Sequence, residues 1–104
     1  MQFDTAPWSN GKPNRLTGAG FGIRIPIRVR NKIFRKNWSE VVLGLDGTKT
    51  EVAVTAGFWN KCSELRSVEI GNWLIKHGKD RWPKGRPPRL TVTHVGGNEF
   101  ILTA

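Results

Sequence analysis

The chain has 104 residues, 17 Lys+Arg against 8 Asp+Glu, a formal net charge of +9 and 38% apolar residues. That length fits one domain, and five Trp with five Phe supply enough large rings for one modest core. The single cysteine, Cys62, excludes an internal disulfide and a cysteine-based zinc site and suits a reducing cytoplasm. No apolar run approaches the roughly 18 residues of a membrane helix, and the N-terminus MQFDTAPWSN lacks the basic-then-apolar layout of a signal peptide.

The charge is unevenly placed. Residues 1–38 hold eight Lys/Arg and one acid, Asp4. Residues 39–75 hold Lys49, Lys61 and Arg66 against five acids, and residues 76–104 hold six Lys/Arg against Asp80 and Glu99. The positive charge therefore sits in the two flanking thirds, which make one binding surface if they meet in the fold. A domain this small and basic points to a polyanion such as nucleic acid.

Residues 1–17, rich in Pro, Asn, Gly and Ser, read as an irregular arm ahead of a single domain over 18–104, with Trp8 available to pin the arm to the body. Gly18, Gly20 and Gly22 then lead into a short strand, Phe21 to Ile25, that alternates at period two. These glycines form neither GxGxxG nor GxxxxGK[ST], so they mark flexible backbone at a strand entry and not a nucleotide loop.

Pro26 opens a helix expected to run to Lys36, because its missing N–H costs nothing in a first turn. That helix places Val29 and Ile33 on one face and Arg28, Lys32 and Arg35 on another, with Arg24 and Arg30 nearby. No acid interrupts the basic stripe to relieve like-charge repulsion, which favours a ligand-facing surface.

Two strands, Ser39 to Leu45 and Lys49 to Thr55, are joined by an Asp46-Gly47 turn signal. The segment 56–67 reads as a polar loop in which Phe58 and Trp59 serve the core and Asn60, Lys61, Ser63 and Arg66 are free to reach base edges or phosphates. A helix over 68–77 follows, with Ile70, Trp73, Leu74 and His77 on one stripe, and Gly71 marking a place for close packing. His77 and Gly78 read as its end. The Pro- and Gly-punctuated loop 79–89 sets Trp82 among Arg81, Lys84 and Arg86, where the ring can stack on a base or cap the core. Leu90 to Val95 and Glu99 to Leu102 close the chain as a second hairpin.

This order of elements defines an α+β domain, a small mixed β-barrel-like fold with two short helices. Arg24-Ile25-Pro26 leading into the first helix, the Asp46-Gly47 hairpin, the Ile70–Gly85 segment with Trp73 and Gly85, and the closing hairpin together resemble a B3-like DNA-binding pseudobarrel. That family includes plant transcription-factor domains and recognition domains of some restriction endonucleases. The resemblance implies two arms gripping the DNA major groove, one through Arg24, Arg28, Arg30 and Lys32, the other through Asn60, Lys61, Ser63 and Arg66.

Catalysis finds little support. Cys62 and His77 with Glu64 or Glu69 form a conceivable set, but no nucleophile motif, HExxH or metal-spaced histidine pair is present. The expectation is a non-catalytic module without cofactor that binds duplex DNA. The alternatives are a binder of single-stranded nucleic acid or RNA, and an interaction module for an acidic protein.

Overall fold

A computed structural model describes residues 1–104, in which one seven-stranded mixed sheet curls into a nearly closed barrel of the pseudobarrel type with short helices around it. The strands are β1 (Gln2–Ser9), β2 (Phe21–Arg24), β3 (Glu40–Leu45), β4 (Thr48–Ala53), β5 (Glu64–Arg66), β6 (Leu90–Gly96) and β7 (Glu99–Thr103). The helices are α1 (Ile27–Ile33), α2 (Ala56–Asn60) and α3 (Val68–Lys76). Strand order is β4-β3-β7-β6-β1-β2-β5, and the edge strands β4 and β5 meet to complete the ring. All pairings are antiparallel except β3 with β7.

The expected irregular arm is corrected over its first half, where residues 2–9 form β1, an interior strand between β6 and β2. Phe3, Thr5 and Pro7 point inward while Asp4, Ala6 and Trp8 face outward, a period-two pattern hidden by the polarity of Thr5 and the presence of Pro7. β1 pairs with β6 through Gln2–Thr5 and with β2 through Ala6–Ser9, so it turns the corner between two halves of the barrel. Pro7 lies beyond the β6 pairing, where one strand edge is open and a missing N–H is tolerated. At the corner the Thr5 hydroxyl donates to the Arg24 carbonyl.

The core contains Phe21, Ile23, Ile25, Val29, Phe58, Leu65, Ile70, Trp73 and Leu74, together with the inner faces of β3, β6 and β7. Each fully buried side chain of this size contributes about 1.5–3 kcal/mol of transfer free energy. α1 ends three residues short of the expected Lys36. Phe34 leaves the helix in an extended conformation and stacks on Phe100 with ring centroids 5.0 Å apart. Burying that ring outweighs one more exposed turn of like-charged residues.

The two hairpins and the helix over 68–76 agree with the sequence reading. Asp46 (φ 53°) and Gly47 (φ 84°) supply the paired positive φ angles that a two-residue hairpin turn demands. The loop assignment for 56–67 is corrected. Thr55 accepts from the Phe58 amide at 3.3 Å and caps a short α2, and Glu64–Arg66 join the sheet as β5. Gly71 does permit a close approach, and its partner is Gly18. A Cβ on Gly71 would lie 1.9 Å from the Gly18 carbonyl oxygen, so the 10–20 segment packs directly on α3.

Candidate nucleic-acid interface

The outer face of β1, β2 and β5 is built from two cross-strand rows, Trp8–Gly22–Arg66 and Ala6–Arg24–Glu64. The intervening row, Pro7–Ile23–Leu65, is buried and holds the face on the core. Gly22 is required because a Cβ there would sit 2.3 Å from the Leu65 carbonyl oxygen. With no side chain in the middle of its row, the Arg66 guanidinium lies 4.3 Å from the centroid of the Trp8 ring. Glu64, whose side chain is 2% exposed, holds Arg66 through a 2.9 Å ion pair. Removing Arg66 would therefore leave a buried carboxylate without its counter-charge.

The irregular loop 79–89 faces these strands. Arg15 anchors its start twice, donating through Nε to the Asp80 carboxylate and through Nη2 to the Asp80 carbonyl, each at 3.0 Å. Four adjoining cavities follow this face, three of them walled in part by the loop. The other, about 260 Å³, lies toward α3 and is lined by Trp8, Phe21, Arg66 and Val68. The next, about 320 Å³, is walled by Trp8, Arg24, Trp82 and Pro87. A third of about 310 Å³ continues past Arg24 to Pro26 and Arg89, and a fourth of about 360 Å³ reaches Arg15 and Arg81 on the other side of Trp82. They share Trp8, Arg24, Ser9 and Trp82 at their borders and so form one groove.

The five tryptophans divide sharply. Trp73 is core, and Trp38 and Trp59 pack against the core. Trp8 and Trp82 belong to neither group, and both line the central cavity.

The residues singled out from sequence fall into two groups. Arg24, Arg81 and Trp82 line the groove, and Lys84 and Arg86 lie exposed in the same loop. Arg28, Lys32 and Arg35 are exposed in or just beyond α1, and Asn60 and Lys61 are exposed at the end of α2. The two helices are tied by Arg30, whose Nη1 donates to the carbonyls of Phe58 and Trp59 at 3.1 and 3.0 Å. Arg30 thus satisfies the last turn of α2 and lies over the Trp59 ring, which removes it from the list of free cations. Ser63 is corrected too: it is buried and its hydroxyl donates to the Ile25 carbonyl, locking β5 to the exit of β2. Arg66 braces Trp8 as described. Six of the 17 Lys and Arg have a carboxylate within 4.0 Å, namely Arg15, Lys49, Arg66, Lys76, Arg81 and Arg89. Arg24, Arg28, Lys32, Arg35, Lys61, Lys84 and Arg86 are not among them.

Sequence reasoning missed Trp8 and Arg89 as groove residues. For Trp8 the available signal was its even spacing with Asp4 and Ala6, opposite Phe3, Thr5 and Pro7.

Two of the four groups weighed for catalysis are engaged elsewhere, and Cys62 and Glu69 are exposed. His77 pairs with Asp46 at 2.9 Å, and Glu64 pairs with Arg66. The Asp46 carboxyl is held well below its ordinary value, at about 2, first by His77, then by Lys76 and by the Trp73 Nε1 donor. No cluster of three or more His, Cys, Asp and Glu side chains is arranged to hold a metal ion, and no helix is long and apolar enough to cross a membrane. No protein-family model, curated protein or solved structure matches the chain.

Proposed function

We propose that this domain is a non-catalytic nucleic-acid-binding module whose target is duplex DNA. The observation that carries this reading is the set Arg28, Lys32 and Arg35, exposed and without a carboxylate within ion-pair distance, in a chain of net charge +9. Such cations repel one another, and a row of phosphates relieves the repulsion while its condensed counterions are released. Lys61 lies on the neighbouring helix end, and Arg24 adds a cation at the groove. The resemblance to B3-like pseudobarrels supports the major groove as the docking site, with α1 and the end of α2 as the two arms.

In the bound state the arginines and lysines neutralise phosphates and release counterions. With about four to six phosphates engaged, log K falls against log salt with a slope near −4 to −5. The test is a salt series with duplex DNA, single-stranded DNA and RNA of mixed sequence. Tightest binding to duplex with that slope is expected, and the double reversal Arg28→Glu/Lys32→Glu reduces the slope by about 2. Binding that is flat in salt overturns the reading. Tightest binding to single strands replaces duplex with an unpaired target, and capture of a stoichiometric acidic protein in place of nucleic acid moves the function to protein interaction.

A further inference from the structure

We infer that the cleft between Trp8 and Trp82 is a subsite for one unpaired nucleobase, displaced from the duplex bound by the rest of the surface. The inference rests on the duplex-binding reading above and adds to it a second, chemically different contact.

The two rings come from segments far apart in sequence, and both are withheld from the core that takes the other three tryptophans. Both are half-buried and border one cleft, where a flat aromatic group can stack on them. The cleft that they share has about 320 Å³, at the lower end of the roughly 300–1,000 Å³ of small-ligand sites. The cleft itself therefore has room for one base with part of its sugar.

The polar groups fit the same occupant. Arg24 lines the cleft without a carboxylate partner, so it is available to the phosphate flanking a displaced base, while the Ser9 hydroxyl offers a donor and acceptor to a base edge. Arg66 lines the cavity on one side of Trp8 but not the cleft shared with Trp82. Its guanidinium lies over the Trp8 ring without entering the wall of the cleft shared with Trp82. The Glu64–Arg66 pair thus fixes the orientation of Trp8, and the Arg15–Asp80 clamp fixes the root of the loop that carries Trp82. Two rings held by separate ion pairs form a preorganised slot, which lowers the ordering cost of stacking.

The test compares three duplexes of one sequence: fully paired, with a single unpaired base, and with an unpaired abasic residue at the same place. Binding is measured for the parent, Trp8→Ala, Trp82→Ala and Trp82→Phe, after thermal unfolding has established that each variant folds. The parent should prefer the unpaired base over the paired duplex by about tenfold. In Trp8→Ala and Trp82→Ala the ratio of affinities for the unpaired-base and paired duplexes should fall to about one, and Trp82→Phe should keep most of the preference. Equal affinity of the parent for paired and unpaired-base duplexes overturns the inference and leaves duplex binding intact. So does an abasic duplex bound as tightly as the one with the base, because the protein then recognises a bent backbone. A preference that survives in both alanine variants overturns it as well. Failure to bind any of the three duplexes overturns both readings.

Discussion

At the β3–β4 hairpin, Asp46 accepts from Trp73 Nε1 at 3.2 Å, from Lys76 at 3.0 Å and from His77 at 2.9 Å, and Lys49 pairs with Glu99 at 3.3 Å. On the β1–β2–β5 face and the loop beside it, Trp82 and Arg24 have no comparable partners, Trp8 meets only the Arg66 guanidinium, and the two ion pairs beside them position the groove walls. Both regions combine indole, cation and carboxylate. In the first the carboxylate sits at the centre of the group, so the charges and the indole N–H satisfy one another and the unit is closed. In the second the carboxylates are set back, at 2% and 15% exposure for Glu64 and Asp80, and the rings and Arg24 are left facing the groove. A closed polar unit stabilises a turn, whereas an open one is free to take a ligand.

The largest effect expected from this contrast concerns aromatic rings. Phe100 is stacked on Phe34 and touches the rings of Phe3, Trp38 and His94. Phe100→Ala should cost about 3–5 kcal/mol in urea unfolding, the usual range for removing a buried phenyl ring from a packed core. Trp82→Ala removes a larger side chain from outside the core and should cost less than about 1 kcal/mol. Comparable losses in the two variants would mean that Trp82 is a structural cap, and the distinction between the two regions would fail.

How far this contrast was legible beforehand depends on the kind of signal. Asp46-Gly47 was readable because a two-residue hairpin needs two positive φ angles and few residue pairs supply them. Arg28 and Lys32 of the expected α1 stripe were readable because they follow from helical spacing alone, whereas Arg35 falls beyond the helix, which ends where Phe34 turns into the core. Ser63 and Arg30 were misjudged because a short polar side chain or an arginine can serve the protein's own carbonyls, and that choice depends on which backbone arrives beside it. Trp8 was hidden by Pro7, which suggests a break in structure, although the strand tolerates it where one edge is open. The groove itself joins residues 6–24 to residues 80–89, a contact made by the β1–β6 pairing and the Arg15–Asp80 clamp, which no local pattern records.

The closed unit has a pH signature. The Asp46 carboxyl titrates at about 2 in the folded protein against an ordinary 3.8, chiefly through its hydrogen bond with His77. A lowered folded value means that the unfolded chain binds the proton more readily. The stabilisation is therefore complete above 3.8 and is lost as pH falls toward 2. Asp46→Asn keeps a residue that accepts positive φ but removes the charge. Its melting temperature should lie below the parent's at pH 7, and the gap should close between pH 4 and pH 2. A gap that persists unchanged at pH 2 would assign the loss to turn geometry and not to the ion pairs.

The smallest expected effect lies on the same hairpin and has the opposite sign. Glu40 and Glu51 stand on one face, Glu51 pairing across with Val42, two residues on from Glu40. The Glu40 carboxyl is raised above its ordinary 4.5, first by a hydrogen bond with Glu51, then by partial desolvation and by the Glu51 charge. A raised folded value contributes stability below 4.5, and this is lost as pH rises and both groups ionise. Glu51→Gln removes the repulsion and keeps a hydrogen-bonding side chain, so it should raise the melting temperature slightly at pH 7 and leave it unchanged at pH 3. The two hairpin variants thus move in opposite directions at neutral pH and both approach the parent in acid. Groove variants such as Trp82→Ala change no titrating group, so their offset from the parent should stay constant over the same range. A pH-dependent offset in Trp82→Ala would couple the groove to the carboxylates of the protein and blur the line drawn between the two regions.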